Sequence, residues 1–555
     1  MKFKLINSLE KTFENKMPKT SELKSARLLK GERFCFQLAA ETDFALWYTV
    51  KINSPLKDYI KIYRIENAVM DLAAYPYIKD KNYLTKSGGV MPDILISAKE
   101  DELFTSYYGA SCVWLELNVP EAFKSGEYEI ELEIQTHDGT SIGMKNEKFK
   151  PKTYRKKLTV KILDLKLIKN EIRFTQWMYL DCISAVHDVP VFSEKHWELI
   201  EKYIQTAVYI GMNMMLTPVH TPPLDTSRGI YRDYVGLIDI SYDKNTNKYS
   251  FDCKKLERFI EICLKCGIEY FEIAHLFSQW GSEFAAPVKV DGEYKFGWHV
   301  KADSQEYTEF LKQYIPAITK TFDKYNLRDK IYFHISDEPY MDNIESYKKT
   351  YNILKPLVKG IKTMDALSSY EFYKQGLIDC PVTATNHIDE FLKHDVENQW
   401  AYYCCSQGEK VGNRFLAMPS YRNRILGIQM FKYNIKGFLH WGYNFYNSQY
   451  SLEKINPYVT TSANGAFPSG DTFSVYPAKD GVYLSMRSLV FYDALQDIRI
   501  LNMVSEKIGH KKTVEMIENI AKSEITFLKY PHRASFILNV IDKAKQILEM
   551  SFLEM

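Results

Sequence analysis

The feature that most constrains the fold is an alternation of strand-like and helix-like segments that begins after about residue 170. Eight short apolar segments have the composition of buried strands: 172–180, 214–219, 270–276, 331–336, 363–367, 382–386, 400–405 and 437–441. Helical patterns lie between them, as at 197–210, 254–266, 305–322 and 344–358. Eight parallel strands joined by helices are typical of a (β/α)8 barrel, so the sequence predicts an α/β barrel here.

The chain before this region is rich in strand patterns. Residues 128–134 alternate strictly between apolar and charged side chains, as a strand with one buried face must, and Asp138-Gly139 is a turn signal. We therefore expect an all-β, antiparallel β-sandwich over residues 1–168, before the barrel at 169–510. Residues 511–555 are helical and leucine-rich, and we expect them to pack against the barrel.

Composition excludes several classes of function. The 72 basic and 70 acidic residues leave a net charge of +2, so no bulk field favours nucleic acid. No apolar run approaches the ~20 residues that span a bilayer, and the first residues lack a signal-peptide pattern. Nine scattered cysteines predict reduced thiols and a cytoplasmic location. The single Cys263–Cys266 pair has no second pair at zinc spacing, so we expect no metal and no cofactor. The oligomeric state is left open.

The strongest candidate site is Asp337-Glu338, which follows the predicted strand 331–336 directly. Pro339 cannot donate to a strand ladder, so it places the two carboxyls at the carboxyl end of that strand. Active sites of (β/α)8 barrels lie at this end. The alternative is that both residues are solvated loop acids or charges at a helix start.

Polar and aromatic side chains follow the other predicted strands. These candidates are Tyr179, Asp181, His220, His275, Trp280, Asp365, Asn386, His387, Tyr403, Ser406, Trp441 and Asn444. The set contains no glycine-rich phosphate loop and no metal-ligand spacing, so it favours an uncharged, hydroxyl-rich ligand, a sugar. The alternatives are that His275 is a satisfied core group and that Trp280 only anchors its insertion. We predict substrate contacts for Asp181, His275, Trp280, Asn386, Tyr403, Trp441 and Asn444.

The adjacency of the two acids indicates a mechanism. Neighbouring carboxyls cannot easily straddle a sugar ring as the pair of an enzyme-nucleophile glycosidase does. Glu338 can instead reach the glycosidic oxygen while Asp337 holds a 2-acetamido group whose carbonyl attacks the anomeric carbon. Two like charges this close also raise one pKa, which keeps one acid protonated near neutral pH.

Three sets of motifs resemble glycoside hydrolase family 123. They are residues 334–339 (HISDEP), residues 437–444 (GFLHWGYN), and the closing positions Gly470-Asp471-Thr472-Phe473, Tyr476-Pro477, Ser485-Met486-Arg487 and Asp497. The resemblance implies a β-sandwich before a (β/α)8 barrel and an exo-acting, retaining β-N-acetylgalactosaminidase that works by acetamido participation. It also implies Glu338 as general acid/base, Asp337 as the acid that orients and stabilises the acetamido nitrogen, and glycosphingolipid-type glycans with terminal β-linked N-acetylgalactosamine as substrates.

Two other functions stay open from the sequence. A broader β-N-acetylhexosaminidase would also accept N-acetylglucosamine, which differs only at the 4-hydroxyl. A non-catalytic carbohydrate-binding protein on a hydrolase scaffold would use the N-terminal sandwich as its binding module.

Overall fold

The computed structural model describes residues 1–13, 16–106, 109–138 and 149–553, so Gly139 of the predicted turn lies outside the described residues. The first part of the chain contains ten strands: β1 Lys2–Asn7, β2 Ser25–Lys30, β3 Arg33–Thr42, β4 Leu46–Asn53, β5 Ile60–Met70, β6 Gly89–Ala98, β7 Phe104–Ser106, β8 Gly109–Asn118, β9 Gly126–Asp138 and β10 Thr153–Lys166. They form two sheets, in the orders β1-β3-β8-β5-β6 and β2-β10-β9-β4-β7.

The two sheets enclose one core because their strands alternate. On β9, Ile130, Leu132 and Ile134 are buried, and they belong to the same apolar cluster as Phe36 and Leu115 of the facing sheet. The sandwich is confirmed, but the expectation that it is purely antiparallel is wrong, since β2 runs parallel to β10. The chain enters β2 after crossing from β1 in the other sheet, so no hairpin enforces an antiparallel pair.

The remaining strands are β11 Arg173–Gln176, β12 Met214–Thr217, β13 Asp239–Asp243, β14 Lys248–Asp252, β15 Tyr270–Ile273, β16 Val288–Val290, β17 Glu293–Phe296, β18 Ile331–His334, β19 Lys362–Leu367, β20 Cys380–Ala384, β21 Trp400–Tyr402, β22 Gly437–His440, β23 Tyr476–Ala478 and β24 Gly481–Ser485. The helices are α1 Leu180–Val186, α2 Glu194–Tyr209, α3 Lys254–Cys266, α4 Gln305–Asp323, α5 Ile344–Leu354, α6 Glu371–Lys374, α7 Asp389–Leu392, α8 Tyr421–Lys432, α9 Met486–Ile508, α10 His510–Ala521 and α11 Ala534–Leu553.

All eight predicted barrel strands are present and parallel, in the order β11-β22-β21-β20-β19-β18-β15-β12. The barrel is nearly closed: β11 and β12 share no ladder, but the N–H of Asn213 donates to the carbonyl of Phe174 at 3.2 Å. The hairpins β13–β14 and β16–β17 lie within the insertions after β12 and β15. Because all eight strands are parallel, their carboxyl ends meet at one mouth.

Two late strands join the two parts of the molecule. β24 pairs with β6, and β23 pairs with β24, so the first sheet of the sandwich contains seven strands. Directly after β24, Arg487 forms a buried ion pair with Asp93 of β6 at 2.9 Å. The domain boundaries at 168 and 510 remain a proposal. In sequence, β23 and β24 lie within the segment 169–510, but in space they extend the first sheet of the sandwich. Among the described residues, no helix is long and apolar enough to cross a membrane.

Candidate active site

The carboxyls of Asp337 and Glu338 line one cleft at the mouth of the barrel, with a volume of about 740 Å³ that is partly open to solvent. They follow β18, and Glu338 has a left-handed backbone conformation with φ of 45°. Side chains of consecutive residues in an extended strand point to opposite faces. The left-handed turn at Glu338 breaks that alternation, and both side chains reach the same cleft.

Each carboxyl has its own hydrogen-bond donor. The Gln279 amide nitrogen donates to Asp337 Oδ2 at 2.7 Å, and the Tyr402 hydroxyl donates to Glu338 Oε1 at 2.7 Å. The backbone is held as well, since the Trp280 N–H donates to the Asp337 carbonyl and the Glu338 N–H to that of Ala366, both at 3.0 Å. The pair is therefore fixed by β19, by β21 and by the loop after β15.

The surroundings favour retention of a proton by the pair. Burial raises the pKa of Asp337 well above its ordinary value, and the charge of Glu338 raises it further, whereas the Gln279 amide lowers it. Burial also raises the pKa of Glu338, against the lowering effect of the Tyr402 hydroxyl. Two neighbouring carboxyls in such a cleft cannot both ionise at their usual pKa, so the pair can supply one acid and one anion.

Aromatic rings form the walls of the cleft: Trp177, Tyr179, Trp280, Tyr402, Trp441, Tyr450 and Phe467. The indole N–H of Trp441 donates to Asp471 Oδ2 at 2.9 Å, which fixes the ring. Burial raises the pKa of Asp471 to about 7, although Arg414 and the Trp441 N–H each lower it. Apolar walls around a few polar groups are typical of a pocket for a sugar ring.

Of the seven predicted substrate contacts, Trp280 and Trp441 line the cleft and the other five do not. Asp181 faces Arg232 at 3.4 Å, and Asn386 accepts a hydrogen bond from Gln407. Asn444 holds the backbone of Tyr179 through both of its amide atoms.

Tyr403 and His275 lie outside the cleft for reasons of geometry. Consecutive side chains of an extended chain point to opposite sides. Tyr402, the last residue of β21, therefore faces the cleft, whereas the hydroxyl of the next residue, Tyr403, donates to Asn423 of α8 at 2.9 Å. His275 is fully buried and stacks on His334, with ring centroids 4.0 Å apart.

A buried polar network lies directly behind the pair. His334 donates to Glu272 at 2.9 Å and to Asp365 at 3.1 Å, and Asp365 also accepts the N–H groups of Ile335 and Ser336. Burial alone lowers the pKa of His334, but its hydrogen bonds to the two carboxylates raise it to about 9. The network therefore holds a cation between two anions and fixes the chain that leads to Asp337.

His275, His334 and Asp365 have potential metal ligand atoms within 4.8 Å of one another. Both ring nitrogens of His334 are already bonded to carboxylates. The His275 and His334 rings are stacked at 20°, so their in-plane lone pairs do not converge on one point. This geometry does not fit a metal ion.

The sequence predictions missed Gln279, Tyr402 and Asp225, and they named Asp471 only within a motif of the family resemblance. Strand alternation was a signal for Tyr402, because it precedes the predicted Tyr403 by one position. Asp225 lies in a long segment without periodicity, and only the tertiary structure brings it to the cleft. Asp471 does not line the cleft but accepts the indole N–H of Trp441, which does.

An eight-stranded barrel with carboxyls in an aromatic cleft at its mouth is typical of enzymes that act on glycans. A family model described as "Glycoside hydrolase 123, catalytic domain" matches residues 177–504, more than half of the chain. The chain therefore belongs to glycoside hydrolase family 123 and is a glycoside hydrolase.

A solved structure of the same family agrees with this fold. A family 123 glycoside hydrolase from Clostridium perfringens, described in a study of glycolipid glycan hydrolysis, matches with a TM-score of 0.73 over 100% of both chains at 14% identity. The GH26-CBM35 β-(1,4)-mannanase from Podospora anserina covers 85% of this chain and 92% of its own at 9% identity, but its TM-score of 0.23 is too low to compare folds. A search of curated protein sequences finds no significant match.

Proposed function

We propose that this protein is an exo-acting β-N-acetylgalactosaminidase that hydrolyses with retention through an oxazolinium intermediate. The observation that carries the proposal is that the neighbouring carboxyls of Asp337 and Glu338 enter one cleft, each held by a separate donor. Preference for N-acetylgalactosamine is supported by the motif resemblance, and action on glycolipid-type glycans is supported by the glycolipid glycan hydrolysis described for the Clostridium perfringens enzyme. The nine free cysteines fit the expected cytoplasmic location.

In the proposed reaction Glu338 donates its proton to the glycosidic oxygen. The 2-acetamido carbonyl of the substrate attacks the anomeric carbon from the opposite face, and the leaving sugar departs as an alcohol. Asp337, as an anion, stabilises the positive charge that develops on the acetamido nitrogen. Glu338 then takes a proton from water, which opens the ring and restores the β configuration.

A conventional mechanism would need an enzyme carboxylate as nucleophile. Glu409, the nearest acid in sequence after β21, accepts a hydrogen bond from the Lys79 N–H and does not line the cleft. Asp225 does line it, with one carboxylate oxygen held by the Tyr450 N–H at 3.1 Å. Asp225 is therefore the residue to test as a competing nucleophile.

Activity on paired p-nitrophenyl β-N-acetylgalactosaminide and β-N-acetylglucosaminide tests the proposal. We expect faster hydrolysis of the first. On a natural glycan, Glu338→Gln should lose roughly 10²–10⁴-fold in turnover, because its amide cannot donate the proton, and the loss should be smaller on p-nitrophenyl glycosides, whose leaving group needs little protonation. Asp225→Asn is the matched control, and no covalent glycosyl-enzyme is expected to form on Asp225. Equal rates on the two sugars would indicate a broader hexosaminidase, whereas binding of both without turnover would indicate a carbohydrate-binding protein.

A thiazoline analogue of the oxazolinium ion gives a second readout. Intermediates of this kind resemble the transition state, so the analogue should inhibit competitively and tightly. Asp337→Asn should reduce turnover and analogue affinity together, because the same carboxylate charge contributes to both. Undiminished affinity in this variant would contradict the role assigned to Asp337.

A further inference from the structure

The two carboxyls divide the cleft into two sides. Asp337 faces Gln279, whose amide oxygen accepts the Asp225 N–H. Glu338 faces Tyr402, which is followed by Cys404 and Cys405 in the cleft wall. Under the proposed function Glu338 protonates the leaving sugar, so this sugar occupies the Glu338 side.

A pair of stacked tyrosines from the sandwich domain lies on the Glu338 side of the cleft. Tyr75 and Tyr77 belong to the segment between β5 and β6, and their rings stack at 5.3 Å and 17°. The Tyr75 hydroxyl donates at 3.0 Å to the carbonyl of Ala466, which precedes Phe467 of the cleft wall. Burial and the adjacent Cys405 thiol both raise the pKa of Tyr75. Tyr75 therefore lies against the cleft wall, while Tyr77 is 68% exposed.

The barrel loops hold this segment in place. Asp80 forms an ion pair with the buried Arg422 at 2.9 Å, and the Tyr83 hydroxyl donates to the carbonyl of Gly408 at 2.7 Å. At the start of the segment, Asp71 accepts hydrogen bonds from Thr460, Thr461, Ser462 and Ser469. The exposed ring of Tyr77 is thus presented by an anchored backbone, and little conformational entropy would be lost on binding.

A third exposed ring belongs to the barrel itself. Tyr340 is 58% exposed and follows Glu338 by two residues. Burial raises its pKa, and the charges of Glu338 and Asp337 raise it further. Exposed aromatic rings grouped at the edge of a pocket mark a binding surface, and their faces suit the apolar face of a sugar ring.

We propose that Tyr77, supported by Tyr75 and flanked by Tyr340, binds the sugar ring to which the terminal N-acetylgalactosamine is linked. The ligand is an uncharged pyranose that stacks on the exposed face of Tyr77 while its linking oxygen lies at Glu338. The sandwich domain then contributes directly to the substrate site, and glycans are preferred over substrates that lack a second ring.

Two substrates, one that occupies this subsite and one that does not, test its contribution to catalysis. N-acetyl-β-galactosaminyl fluoride has no second ring, whereas a disaccharide with N-acetylgalactosamine β-linked to galactose fills both sides. We expect Tyr77→Ala to lower kcat/KM for the disaccharide about fivefold relative to the fluoride, since a ring contact contributes about 1 kcal/mol. Tyr77→Phe retains the ring and should keep the wild-type ratio. Tyr59→Ala, which removes a 39% exposed ring of the sandwich that packs on Phe123, should also keep it.

An unchanged ratio in Tyr77→Ala, or an equal loss on both substrates, would overturn the subsite. A wild-type protein inactive on both substrates would instead contradict the proposed function. In that case, saturation-transfer NMR tests the subsite without turnover, because it measures contact between the Glu338→Gln protein and each ring of the disaccharide. Transfer to the galactose ring that is lost in the Glu338→Gln, Tyr77→Ala protein supports it, and no transfer to that ring overturns it.

Discussion

The side chains that touch Asp337 and Glu338 differ, and this difference gives the two neighbouring acids separate roles. Gln279 donates to Asp337 only, and Tyr402 donates to Glu338 only. A donor stabilises the anion it contacts, so it lowers the pKa of that carboxyl. The proposed reaction needs Asp337 ionised and Glu338 protonated, so each donor acts on a different limb of the pH–rate profile.

Gln279→Ala removes the donor to Asp337. The pKa of Asp337 should rise, so the acidic limb of the kcat/KM profile should move to higher pH while the basic limb stays in place. We also expect a loss of roughly 10–100-fold at the optimum, since a hydrogen bond to a charged group contributes about 1.5–3 kcal/mol. The pH dependence of kcat/KM measures both effects. A shift of the basic limb alone would contradict the assignment of Asp337 as the anion.

Tyr402→Phe is the complementary change. It removes the donor to Glu338 and raises the pKa of that carboxyl, so the basic limb should move to higher pH because Glu338 stays protonated longer. The same kcat/KM profile measures this limb. If both variants move the same limb, the roles proposed for Asp337 and Glu338 are not separate.

At the scale of strands, apolar patterns predicted the positions of all eight barrel strands but placed most of their carboxyl ends too far along the chain. β18 ends at His334 although the apolar pattern continues to Ser336. Beyond His334 the backbone N–H groups of Ile335 and Ser336 bond the Asp365 side chain in place of a neighbouring strand. A pattern of apolar residues indicates burial. It does not indicate whether the backbone N–H and C=O groups bond a neighbouring strand or a side chain.

The buried cation of His334 makes a pH-dependent contribution to stability. Its pKa is raised from 6.5 to about 9, so this contribution is complete below pH 6.5 and is lost as the pH rises through about 9. We expect the difference in melting temperature between the wild type and His334→Gln to be largest below pH 6.5 and to shrink toward pH 10. Tyr347→Phe, which removes one neutral donor to Asp365, should show a difference that does not depend on pH in this range. A constant difference for His334→Gln would contradict a protonated His334.

At the scale of the whole molecule, the sandwich and the barrel share a sheet and a buried ion pair. The sequence did not predict this connection, because β23 and β24 are only three and five residues long, and the entire barrel separates β24 from its partner β6. The same limit applies to the cleft. Asp337, Glu338, Trp280 and Trp441 follow strand ends and were predictable, whereas Tyr75, which bonds the carbonyl next to Phe467 of the cleft wall, comes from the other domain.

The ion pair between Asp93 and Arg487 gives a prediction at this scale. Both side chains are buried, and Tyr476 also donates to Asp93 at 2.7 Å. Asp93→Ala leaves the Arg487 charge buried without its partner, which should cost about 3–5 kcal/mol. Urea unfolding measures the loss. Glu129→Ala, which removes an exposed ion pair with Lys157, is the control and should cost no more than about 1 kcal/mol. Equal losses in the two variants would show that the two parts do not depend on this contact.

The nucleophile is the central claim, and one series of substrates tests it most directly. p-Nitrophenyl β-N-acetylgalactosaminides that carry one, two or three fluorines on the acetyl methyl group have progressively less nucleophilic carbonyl oxygens and nearly the same shape. If the acetamido group attacks, log kcat/KM for the wild-type enzyme falls steeply with each added fluorine. If an enzyme carboxylate such as Asp225 attacks instead, kcat/KM stays nearly constant across the series, and that result would contradict acetamido participation.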